Sequence, residues 1–73
     1  MSNVRRFILQ RKEDVHGVSG TGVVAEGAEF VNGMVALSWL TPTPSLNIYP
    51  NIRVVEEIHG HEGRTTVVWE DAL

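Results

Sequence analysis

The chain has 73 residues, is 42% hydrophobic and 21% charged, and carries a formal charge of −3. That describes one small domain, 1–73, with too much apolar content for a disordered chain. It has no cysteine, which excludes a disulfide framework, a thiolate nucleophile and a Cys-based zinc site. No run approaches the roughly 18 apolar residues of a membrane span, and two arginines interrupt the N-terminal region where a signal peptide would be apolar. The expectation is a cytoplasmic protein without a membrane partner. A domain this small buries only about 60% of the surface its unfolded chain exposes, so its stability is expected to be low unless it self-associates.

Val4 to Arg11 reads as a strand, with Phe7 and Leu9 on one face and Arg6, Ile8 and Gln10 on the other. Lys12 to Thr21, with its glycines, Asp14 and Ser19, reads as a loop of roughly ten residues. Gly22 to Val31 is a second strand. Asn32-Gly33 between apolar runs predicts a two-residue hairpin turn, because both central positions of a type I′ turn need positive φ. That register places Phe30, Val35, Ala28, Leu37 and Trp39 on one face and sets Glu26 beside Trp39. Val23 and Ala25 fall on the opposite parity, which predicts a β-bulge or bend around Ala25 to Gly27.

Pro42 and Pro44 end the third strand, since proline cannot donate to a ladder. Leu46 to Tyr49 is a short fourth strand. Asn51 is placed to cap a helical turn that puts Ile52, Val55 and either Ile58 or His59 on one side, with Gly60 just past its end. An extended strand over 53–58 is the alternative, because Val54 and Val55 are β-branched. Residues 59–63 read as a loop, and Thr65 to Trp69 as the last strand. The sum is an all-β fold: a small antiparallel SH3-like barrel of about five strands, with one short helical or 3₁₀ turn before the last. Phe7, Phe30, Trp39 and Trp69 are expected in the core.

Arg5, Arg6, Arg11 and Lys12 are four of the six basic residues, and the rest of the chain is acidic. With Arg64 they are the candidate nucleic-acid contacts. The net charge disfavours that partner, because phosphate neutralisation needs a basic surplus. A solvated basic strand paired with acidic neighbours is the plainer reading.

His59 and His61 could approach a metal with His16 and Glu62, but the sequence fixes no third ligand, so no metal site and no cofactor are assigned. Gly17 to Gly22 could cradle an anion, yet the Lys and helix of a P-loop are missing. Glu26 on an apolar face must either turn outward or find a partner, because a buried lone carboxylate is costly. It has no visible second group with which to act as a catalytic acid. That leaves Tyr49 as the aromatic expected to be exposed. With Asn47, His59 and His61 it forms the candidate partner-binding surface.

The stretch from Val18 to Gly27 (VSGTGVVAEG) and that from Ile58 to Gly63 (IHGHEG), followed by Val67-Val68-Trp69, resemble a group of very small proteins of bacteria and their phages. Arg11 and Glu13-Asp14 fit the same pattern. The resemblance spans about Phe7 to Trp69 and implies a compact, phage-derived protein; it carries over no catalytic residue. The expected function is a non-catalytic interaction module that binds a protein partner or itself. The alternatives are a nucleic-acid-binding small barrel, or a small-ligand or metal protein built on the Gly17–Gly22 and His59–Gly63 loops.

Overall fold

The computed structural model describes residues 3–12, 22–60 and 65–71. Strands β1 (Arg5–Arg11), β2 (Gly22–Glu29), β3 (Val35–Trp39), β4 (Leu46–Tyr49) and β5 (Thr65–Trp69) form one antiparallel sheet in the order β4-β3-β2-β1-β5. Helix α1 (Ile52–His59) follows β4 and touches both β4 and β5, the two edge strands. The architecture is the expected small all-β, SH3-like barrel with one short helix, of about two turns, before the last strand.

Directly opposed residues share a face, so the ladders divide the side chains into two sets. The inner set holds Phe7, Leu9, Ala25, Val35 and Leu37, all buried, and Val55 of α1 and Tyr49 close over it. Trp39, Trp69 and Val67 are half-buried and packed against this core, so both tryptophans face it as expected.

The hairpin between β2 and β3 differs from the two-residue turn. Gly27 faces Leu37, Ala28 faces Ala36 and Glu29 faces Val35, one residue away from the expected register. The Gly33 N–H donates to the Phe30 carbonyl at 2.9 Å, and the Phe30 N–H donates to the Met34 carbonyl at 2.8 Å. The connection is therefore a three-residue loop, Val31-Asn32-Gly33, and Gly33 supplies the positive φ of 91° that such a loop requires at its end. The Asn32 side chain accepts from the Met34 N–H at 3.0 Å, so asparagine acts within the turn by hydrogen bonding. The slip puts Phe30 on the face opposite Val35; it is 43% exposed and is not a core residue. It also places Glu26 opposite Ser38 rather than Trp39, exposed on the outer face.

The bulge lies slightly upstream of its expected position. Leu9 faces Ala25 and Gln10 faces Val23, which leaves Val24 as the extra residue. Both Val24 and Ala25 are consequently buried in succession. In α1, the Asn51 side chain accepts from the Val54 N–H at 3.0 Å, and its own backbone stays extended. This cap and the burial of Val55 on the inner side favour helix over the extended alternative. His59, not Ile58, continues the buried side, since Ile58 is exposed.

Gly27 has a packing role. A Cβ there would overlap the Phe7 ring, standing 2.7 Å from Cε1, and would sit 2.9 Å from the Ala36 carbonyl oxygen. Phe7 lies directly across the ladder and is fully buried, so its ring has no room to retreat. Gly27→Ala should cost about 1–3 kcal/mol, read as a lower denaturation midpoint at unchanged slope in urea. An unchanged midpoint would show that the ring is not held as described.

Candidate interaction surface

The candidate partner surface of Tyr49, Asn47, His59 and His61 does not assemble as expected. Tyr49 faces Val35 on the inner side and is buried, so it is no exposed aromatic ledge. Its hydroxyl shares a 2.7 Å hydrogen bond with His59 Nε2. The His59 ring stands edge-on to Trp39 at 4.9 Å and to Tyr49 at 5.7 Å between centroids. These three rings pin the end of α1 to β3 and β4. A polar tip satisfied by a neighbour is what allows Tyr49 to enter the core. Asn47 is exposed on β4, and His61 lies outside the described residues.

The basic residues do not form a phosphate-facing row. Arg5 and Arg6 alternate to opposite faces. Arg5 donates from Nε and Nη2 to Glu29 Oε1, at 3.3 and 3.1 Å, while its guanidinium lies 3.7 Å from the Trp69 ring centroid. Arg6 grips Asp71 through the Nε–Nη2 edge of its guanidinium, at 3.0 and 2.9 Å, and its backbone N–H adds a third bond of 2.8 Å. Arg11 is buried on the inner side and donates to Thr65 Oγ1 at 3.2 Å. Three of the five candidate contacts therefore serve the fold. Lys12 is exposed, and Arg64 lies outside the described residues.

A cleft of about 310 Å³ separates α1 from β5, lined by Leu9, Val55, His59, Gly60, Thr65 and Val67 among others. Most of the loops proposed as a ligand or metal site, 17–21 and 61–63, and His16 lie outside the described residues. Among the described residues no three His, Cys, Asp or Glu side chains group as metal ligands.

The most distinctive surface is one that pattern reading missed. On the outer face, Val4, Phe30, Met34 and Ile48 line a groove of about 610 Å³ with Val31 and Asn32 of the hairpin loop. Ala28 and Ala36 lie beside it in the ladder, and Leu46 extends the apolar surface along β4. All the larger apolar members are exposed, Val31 most of all. The signal was available: Phe30, Val31 and Met34 flank a turn, where exposed polar residues are the norm. An assumed register hid it by assigning Phe30 to the core.

Fold and surface thus define a small antiparallel β-barrel protein whose conspicuous feature is an apolar outer face rather than a charged one. The chain belongs to the Acb5 phage protein family, which matches residues 4–71. No curated protein and no solved structure matches it. The family agrees with the phage relationship that the sequence motifs imply. Among the described residues, no helix is long and apolar enough to cross a membrane.

The Arg6–Asp71 pair yields a pH signature. The hydrogen bonds from the Arg6 side chain and backbone lower the Asp71 carboxyl from 3.8 to about 2. A depressed folded-state value means that the pair's contribution is present above the ordinary carboxylate range and is lost as pH falls through about 2. The Asp71 carboxyl should titrate at about 2 when followed by side-chain NMR, and Arg6→Gln should return it toward 3.8. A carboxyl already at its ordinary value in the unaltered protein would contradict the bidentate geometry.

Proposed function

We propose that this protein is a non-catalytic interaction module of phage origin, acting in the cytoplasm and binding a protein through the outer face of its sheet. The observation that carries this reading is the exposed apolar groove of Val4, Phe30, Met34 and Ile48. Exposed large apolar side chains gathered into one groove favour an interaction site, because releasing water from apolar surface supplies association energy. Backbone hydrogen bonds from Phe30 to Met34 and from Gly33 to Phe30 tie the hairpin end of the groove together. A nucleic-acid role has less support, since Arg5, Arg6 and Arg11 are engaged within the fold.

The experiment pairs Met34→Asp in the groove with Ile48→Asp, which lines the groove and also lies on β4, in one variant. Both side chains are over 40% exposed, so the fold should survive, as circular dichroism and thermal melting would show. The unaltered protein should self-associate in sedimentation or retain a protein from a phage-infected host extract, and the double variant should lose that behaviour. Association that persists in a folded double variant, or no association of any kind by the unaltered protein, would defeat the reading.

A further inference from the structure

Strand β4 is an edge with particular chemistry. Leu46, Asn47 and Ile48 are all exposed, and among the described residues no strand pairs with the outer edge of β4. The Trp39 N–H donates to the Ser45 carbonyl at 3.0 Å, which fixes the alternation of the β3–β4 ladder. On the other side of β3, the bonds from Phe30 to Met34 and from Leu40 to Val24 assign the even-numbered residues of β3 to β2. Hence Ser45, Asn47 and Tyr49 bond inward to β3, and the backbone groups of Leu46 and Ile48 point away from the sheet.

This edge is complementary to itself. In an antiparallel pairing of two copies centred on Asn47, Leu46 of one copy stands opposite Ile48 of the other. Both residues carry outward backbone groups, and both side chains lie on the outer face. Four backbone hydrogen bonds form, two on either side of a central pair of asparagines. Pro44 and Pro50 each lie three residues from Asn47, so they would oppose one another and end the ladder at those four bonds. Residues 40–52 carry no charged side chain, so two copies of an acidic chain can meet here without like-charge repulsion.

We infer that the partner of this surface is a second copy of the chain, joined through β4 to β4 about a two-fold axis at Asn47 into a continuous ten-stranded sheet. The inference rests on the interaction-module reading and names its partner. Leu46 and Ile48, 67% and 57% exposed in one copy, become cross-strand neighbours, and the apolar groove runs on across the axis. Three paired residues a side fall short of the ~800 Å² per partner of a standard interface. The association is therefore weak and reversible.

The chain contains no cysteine, so one introduced thiol reports on one position. In a non-hydrogen-bonded antiparallel pair the Cα atoms stand ~4.5 Å apart, within disulfide reach. Asn47→Cys should oxidise to a covalent dimer in high yield at about 100 µM, and Thr66→Cys on the opposite edge should do so far more slowly. Ile48→Pro removes the outward donor without touching the bonds to β3, and should weaken association about tenfold or more in sedimentation. Ile48→Lys should do the same by charge if the proline variant fails to fold. Asn47→Cys that dimerises no faster than Thr66→Cys, or sedimentation as a monomer up to 1 mM, would overturn the inference. Should that occur while capture of another protein still depends on Met34 and Ile48, the interaction module stands and only its partner is wrong.

Discussion

The register between β2 and β3 is the constraint on which the rest depends. Gly33, at a φ of 91°, closes a three-residue loop, and this loop decides which β2 side chains face inward. A slip of one residue would carry the whole of β2 to the other face. Glu26 would then stand in the core opposite Trp39, where a carboxylate has no partner. Gly27 would move out from beneath Phe7, and Phe30 would compete with Val35 for the same space. The observed loop leaves Ala25 and Gly27, two small side chains, opposite Trp39 and Leu37, two large ones. Large against small across a ladder is how so thin a core fills without voids.

Most elements could be read from the chain because their signals are local. Alternation in β1, the Asn51 cap, the prolines around β4 and the β-branched run of β5 each act within a few residues. The hairpin shows the limit of that reading. Asn-Gly is compatible with a two-residue and a three-residue loop, and both give apolar alternation in β3. The choice is made across the sheet, by the fit of Gly27 to Phe7 and the exclusion of Glu26, which no local window contains. Tyr49 was misplaced for a related reason: its hydroxyl is tolerable inside only because His59, ten residues on, returns to meet it. The two-residue register hides the apolar groove by turning Phe30 inward, while Asn47 of the expected partner surface is exposed on β4.

Charge shows a second kind of illegibility. Composition presents β1 as a solvated basic strand paired with acidic neighbours; Arg5 and Arg6 do meet Glu29 and Asp71, but Arg11 is buried against Thr65, and each arginine meets a different element. Arg5 lies between Glu29 of β2 and Trp69 of β5, Arg6 holds Asp71 beyond β5, and Arg11 reaches Thr65 at the start of β5. Each contact crosses from β1 to a neighbour at a separate level of the sheet. The long, fork-shaped side chains tie β1 to both flanking strands, a part that shorter apolar residues cannot play at a sheet's margin. The cationic heads of Arg5 and Arg6 are each paired with a carboxylate, and the β4 side carries no charge of its own.

The seating of the Phe7 ring on Gly27 has an evolutionary consequence. Neither position can change freely while the other stays as it is: a side chain at 27 collides with the ring, and loss of the ring leaves a hollow above the glycine backbone. The two energies are coupled, so each single change is costly while a paired change, alanine at 27 with a smaller aliphatic residue at 7, restores the filled volume. Descent within the family should therefore pass through this site by joint replacement, leaving positions 7 and 27 correlated among its members although twenty residues of chain separate them.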